Sequence, residues 1–238
     1  MLVDEQLCIG CGECIPYCTA GALSLDCEIA RVDLDECVEC SACVRAGVCP
    51  VDALYQQPLE WPRVFRAQFS DQLSVHPETG IPGRGTEEIK TNDLTNRVGP
   101  GFASIAVEVG RPHLGARLAQ VETIAMALSR IGVEHKPLNP ITSLMVDKTT
   151  GKLRDDVLNE KVLSAIIEFV VPQSRVLEVL DCLKAIEPRV DTVFSVDLAV
   201  RYELDGTVPI KKVLEEAAYR LSPNGKTNVG MALKGGRQ

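Results

Sequence analysis

The chain has 238 residues, 45% hydrophobic and 24% charged, which suits a soluble globular protein with one sizeable domain or two small ones. Its net charge of −8 argues against nucleic acid as a partner, and aromatics at 4% leave little for stacking on bases or sugars. No apolar run approaches membrane-spanning length, and "MLVDEQLC" lacks the basic and apolar stretches of a signal peptide, so the expectation is a cytoplasmic protein without a membrane span.

The charge is uneven. Residues 1–57 hold ten acids against two bases, Arg31 and Arg45, while the remainder has 23 of each. Such an acidic patch either steers a basic partner or is a solvated face.

Nine of the ten cysteines lie in residues 8–49. The first run is Cys8-x2-Cys11-x2-Cys14-x3-Cys18. The second is Cys37-x2-Cys40-x2-Cys43-x5-Cys49, followed by Pro50. Thiolates this close in sequence can reach one metal centre together. Zinc sites usually offer two CxxC pairs across a longer loop, and disulfides belong to secreted chains, so two triplets with a distal fourth cysteine favour iron–sulfur clusters. In the two-cluster arrangement the fourth cysteine of each run ligates the other cluster. The expected cofactors are therefore two [4Fe–4S] clusters. One is held by Cys8, Cys11, Cys14 and Cys49, the other by Cys37, Cys40, Cys43 and Cys18.

These motifs, with their "AGAL" and "VDAL" tails, resemble the bacterial two-cluster ferredoxin family over residues 1–57. The resemblance implies two pseudo-symmetric halves, each with a short helix after its fourth cysteine and a hairpin strand. It also implies two nearby clusters that pass single electrons at low potential. Two departures leave every ligand in place. Thr19 stands where Pro is usual and keeps a hydroxyl able to cap a helix. The wider gap before Cys49 is free to bulge, with Gly47 taking an unusual backbone angle. Cys27, in a hairpin between the halves, reads as a buried inert thiol, with a replacement ligand as the sharper alternative.

Residues 58–101 read as a Gly/Pro-rich connector without a sustained helical period, an ordered strap in the plainer reading. Its "GIPGRGTEEIKTND" could clasp an anion or a partner through Arg84, Lys90 and Asn92. From residue 102 the pattern is regular. "SIAVEVG" alternates as a strand, and "LGARLAQVETIAMALSRIG" has helical spacing with Gly132 at its C-terminus. A weaker strand lies within "VEHKPLNPITSLMVD". "VLSAIIEFVVP" reads as a buried strand, "SRVLEVLDCLKAI" as a helix capped by Ser174 and packing Cys182, and "TVFSVDLAVRY" as a strand with Phe194 to Tyr202 alternating inward. The fold class is thus α+β: the ferredoxin domain (1–57) plus a C-terminal βαββαβ domain (102–204) of ferredoxin-like topology. A last helix, "IKKVLEEAAYRL", and a tail fill residues 205–238.

"SPNGKT" lacks the first glycine of a P-loop, since position 220 is Arg, and it follows a helix. "GRPHLG" (residues 110–115) loosely resembles the first turn of ACT domains and is otherwise a plain turn. His76, His113 and His135 form no metal triad. "GRGTEEIKTND", the βαββαβ region and "NGKTN" together resemble the iron–sulfur N-terminal part of 6-hydroxynicotinate reductase-like proteins. That resemblance implies reduction of a small N-heterocyclic substrate with a flavin-bearing partner.

The expected function is electron transfer through the eight cysteines to a redox partner or catalytic subunit, as a component of an oxidoreductase rather than an enzyme alone. Two alternatives stand beside it. One is a redox- or ligand-responsive regulator with a small-molecule-binding C-terminal domain. The other is an iron–sulfur subunit with its own substrate site at the Gly-rich loop.

Overall fold

A computed structural model describes residues 1–78, 80, 98–111 and 114–222. The N-terminal part is built on short pairings: β1 (Leu2–Val3), β2 (Leu23–Asp26), β3 (Ile29–Val32), helix α1 (Ala42–Arg45) and β4 (Leu54–Tyr55). β2 and β3 form a hairpin, and β1 pairs antiparallel with β4, closing the chain's start onto the end of the second cysteine run. The hairpin turn is Cys27–Glu28, with φ of 48° and 62°. Left-handed values at both central residues match the twist of a two-residue hairpin loop.

Helix α2 (Val64–Ser70) follows, inside the segment expected to be a connector. Its signal was only seven residues long, too short to establish a period. Phe65 and Phe69, four apart, bury one face in the main core, and Leu163 N–H donates to Ser70 Oγ at 2.8 Å.

The C-terminal part contains β5 (Phe102–Val109), β6 (Ala116–Arg117), α3 (Leu118–Arg130), α4 (Pro140–Ser143), β7 (Met145–Asp147), β8 (Lys152–Leu153), β9 (Lys161–Val162), β10 (Ala165–Pro172), α5 (Val176–Ile186), β11 (Phe194–Val200) and α6 (Pro209–Glu216). Its sheet is antiparallel, in the order β10-β5-β11. Ile105, Val107 and Val109 of β5 alternate into a core shared with Ile167 and Phe169 of β10, Leu118, Val121 and Ile124 of α3, and Val176 and Val179 of α5. Each fully buried large aliphatic contributes about 1.5–3 kcal/mol through removal from water.

Four expectations need correction. The stretch of the weaker strand holds only the three residues of β7, paired with β8 outside the main sheet, and one bridge, His135 to Phe169, at the outer edge of β10; between them Pro137 and Pro140 lack N–H donors and Asn139 turns to accept from Ile141 N–H. Ser174 does not cap α5. Residues 173–175 form a 3₁₀ turn and Arg175 takes the N-cap position with no side-chain bond. Tyr202 lies beyond the end of β11 and is exposed. The helical turns of the cysteine runs, Ile15–Tyr17 and α1, precede the fourth cysteines rather than follow them. Gly132 behaves as expected: φ is +74° just past the C-cap Ile131, and Val133 N–H reaches back to Leu128 O.

Candidate metal centre

The two cysteine runs repeat the same local hydrogen bonds. Cys8 N–H donates to Asp4 O and Cys37 N–H to Asp33 O, both at 2.9 Å. Two left-handed residues follow in each loop. In the first they are Gly10 (φ 68°) and Gly12 (φ 73°), and in the second Glu39 (φ 55°) and Ser41 (φ 56°). A Cβ on Gly10 would stand 2.1 Å from Glu28 O, so that glycine is required by both φ and space. Glu39 is fully buried and is held by the Met1 amino group at 2.6 Å and by Arg63 at 2.6 Å. Sequence reasoning passed over it. Aligning the two runs places it on Gly10, and a carboxylate buried at that position needs such partners.

The tails explain themselves in the same way. Ala22 N–H donates to Cys18 Sγ at 3.1 Å and Ala53 N–H to Cys49 Sγ at 3.2 Å, each four residues past the sulfur. Ala30 N–H reaches Cys8 Sγ at 3.4 Å. The Thr19 hydroxyl caps no helix and lies 3.4 Å from Cys40 Sγ in the other run.

These turns make two cavities. Cys8, Cys11, Cys14 and Cys49 line the first, with Val3, Ile9 and Leu54. Cys18, Cys37, Cys40 and Cys43 line the second, with Met1, Val32 and Val38. Each run thus sends its fourth cysteine to the cavity of the other. Cys27 joins neither. It is exposed at the hairpin tip, not buried as expected, because its left-handed turn points away from the packed faces of β2 and β3. Cys182 packs on α3, with Sγ 3.6 Å from Ala127 O.

The donor set fits an iron–sulfur cluster. Four thiols face each aliphatic-lined cavity, and backbone N–H groups point at sulfurs that carry negative charge when ligated. Burial pushes Cys14 and Cys37 up and takes Cys43 up to about 11, so these thiols keep their protons unless a cationic metal displaces them. Among the described residues no three His, Cys, Asp or Glu side chains converge on a single ion, as zinc would need.

The 4Fe-4S dicluster domain family matches residues 7–68. A "Ferredoxin-like protein in vnf region" of Azotobacter chroococcum mcd 1 is 40% identical over 65 residues, 95% of that protein and 25% of this chain. The chain belongs to this dicluster ferredoxin family. A protein of the same name from Azotobacter vinelandii is 37% identical over 65 residues, 95% of its length and 25% of this chain. A component of an ion-translocating oxidoreductase complex of Methanosarcina acetivorans is 40% identical over 52 residues, 19% of that protein and 22% of this chain. No solved structure matches the chain. The N-terminal part is therefore an iron–sulfur ferredoxin domain.

This ferredoxin domain is tied to the rest of the chain on the side of the second cavity. The Arg66 guanidinium, 4% exposed, donates through Nη1 to the carbonyls of Cys37 (2.9 Å), Asp35 (2.7 Å) and Leu34 (3.1 Å). Its Nε meets Glu160 at 2.5 Å. Arg45 donates to Cys40 O at 2.6 Å and to Asp71 at 2.7 Å. Arg117 pairs with Asp35 at 2.6 Å and Glu36 at 3.0 Å, and Lys161 also pairs with Glu36. Hydrogen bonding to Arg117 and its charge hold the Asp35 carboxyl below the usual range. Part of the acidic patch thus finds its basic partner within the chain.

In "GRPHLG", Gly115 N–H donates to Gly110 O at 2.9 Å, closing the turn, and Arg111 pairs with Glu108 at 3.4 Å. Arg84, Lys90, Asn92, His113 and the "NGKTN" string lie outside the described residues. No helix among the described residues is long and apolar enough to cross a membrane.

Proposed function

We propose that this chain relays electrons through two [4Fe–4S] clusters, one bound by Cys8, Cys11, Cys14 and Cys49 and the other by Cys18, Cys37, Cys40 and Cys43. The observation that carries this is the interleaving of the two cavity linings: eight cysteines divide four and four, each set drawing its last member from the other run. When bound, such clusters supply one-electron chemistry without moving protons or making bonds. The chain's own residues do the rest. Val3, Ala53 and Leu54 exclude water from one side of the first cavity, and the Ala22, Ala30 and Ala53 N–H groups favour the negative charge on sulfur.

On this reading the ferredoxin domain spans residues 1–57 and the C-terminal unit 102–204. The order β11-β5-β10 with the bridge at His135 beside it supports reading that unit as βαββαβ with its second strand cut to one residue. The chain then serves a redox partner or a catalytic subunit, flavin-bearing and acting on a small N-heterocyclic substrate. The relative from an ion-translocating oxidoreductase complex supports a role inside a redox assembly.

Iron counting on anaerobically prepared full chain tests this. About eight irons per chain are expected, and about four defeat the two-cluster reading. Paired substitutions test the division. Cys49→Ser with Cys8→Ser strikes one cluster and leaves about four irons, whereas Cys49→Ser with Cys37→Ser strikes both and leaves almost none. The reverse pattern overturns the assignment.

A further inference from the structure

We propose that Arg45 and Arg66 make the two cavities electrically unequal, so that the centre lined by Cys18, Cys37, Cys40 and Cys43 is the more easily reduced. This rests on the two-cluster reading above.

Both guanidiniums bond the backbone of cysteines that line the second cavity: Arg66 at Cys37 O and Arg45 at Cys40 O. Both are also interposed. Each meets its carboxylate, Glu160 or Asp71, through a different nitrogen from the one that reaches the cysteine loop. The cavity therefore faces the positive end of each ion pair. Arg66 is buried, where water screens its field weakly.

The second loop also carries Asp33, Asp35, Glu36 and Glu39, but Glu39 is paired with the Met1 amino group and Arg63, and Asp35 and Glu36 with Arg117 and Lys161. Around the first cavity the acids have fewer cations, Arg31 being turned to Glu5 and Asp26. Asp4, Glu13, Glu28 and Asp52 sit in or beside its loops. Among the described residues no guanidinium reaches the carbonyls of Cys8, Cys11, Cys14 or Cys49.

Accepting an electron adds one negative charge. Nearby cations favour that step and nearby carboxylates oppose it. One electron, supplied by an external one-electron donor protein that is itself oxidised by one electron, then settles at the second cavity, on the side tied to the C-terminal unit. No proton moves and no bond changes.

The test is an anaerobic reductive titration of the intact, cluster-loaded chain followed by electron paramagnetic resonance, with iron counted in the same samples. Two resolved one-electron steps are expected. Arg45→Met and Arg66→Met should each lower the upper step and leave the lower one in place. The expected change is about tenfold in electron partition, about 59 mV for one electron. Arg45→Lys, which keeps the charge, should restore most of it. Arg45 lies nearer the surface than Arg66, so its variants carry the test even if Arg66→Met fails to fold. Movement of the lower step, or no movement with about eight irons retained, overturns this proposal alone. About four irons in the unaltered chain overturns the two-cluster reading instead.

Discussion

Gly10 and Glu39 occupy the same place in the two cysteine loops, and they meet its left-handed backbone by different means. Gly10 has no alternative: its backbone is at φ 68° and Glu28 O blocks a Cβ at 2.1 Å. Gly10→Ala should cost at least about 1–3 kcal/mol from the dihedral alone. It should also empty the first cavity, read as iron falling towards about four per chain while the second set stays loaded. Glu39 tolerates the angle because Arg63 and the Met1 amino group fix its carboxylate. A second residue prediction concerns His135, buried with Nε2 2.9 Å from Ser129 Oγ. Burial lowers its pKa below the unfolded value of 6.5. As pH falls through 6.5 the unfolded chain takes up the proton first, so the stability His135 contributes is complete above 6.5 and is lost as pH falls through its lowered value. Urea midpoints should decline over that window, with a shallower slope in His135→Gln. The division of eight cysteines between two cavities was legible because their spacing carries it. Glu39 and the exposure of Cys27 were not, since both depend on which way a left-handed turn faces.

Among the elements, the β2–β3 hairpin places two non-glycine residues, Cys27 and Glu28, in a turn with left-handed angles. Cys27→Asn with Glu28→Gly supplies the pair such a turn prefers and should raise stability by about 1 kcal/mol in chemical denaturation. Iron content should not change, and a drop would mean that Cys27 is a ligand after all. Strands β5 and β11 and helices α3 and α5 were legible because alternation or helical spacing runs for seven to thirteen residues in each, and β10 because its apolar run is nearly continuous. The stretch from His135 to Asn139 was not. Pro137 inside it and Pro140 just after it remove donors a ladder needs, and Leu138 is left exposed.

Across the whole molecule, the ferredoxin domain and the C-terminal unit meet through paired charges of very different burial. Arg66 reaches Glu160, 94 positions away, and both are largely buried. Arg66→Met takes the donor from that carboxylate and from the Asp35 and Cys37 carbonyls, while Leu34 O keeps Arg63, and should cost about 3–5 kcal/mol in urea denaturation. Arg117, against the exposed Asp35, should matter little: Arg117→Ala gives a small loss at low salt that vanishes at high salt. The contrast between an acidic first quarter and a neutral remainder was legible in composition. Its use was not, because a pairing between residues so far apart is set by tertiary placement and leaves no local pattern.

Trp61, the chain's single tryptophan, stands where the segment after the ferredoxin domain meets the C-terminal unit. Its ring meets Phe65 edge-on at 4.4 Å, Arg154 lies over it at 4.3 Å, and its indole N–H donates to Asp156 at 2.6 Å. The protein therefore carries an intrinsic optical gauge: a change in emission wavelength from this one fluorophore would report, without a label, the segment that leads out of the ferredoxin domain lifting from the C-terminal unit.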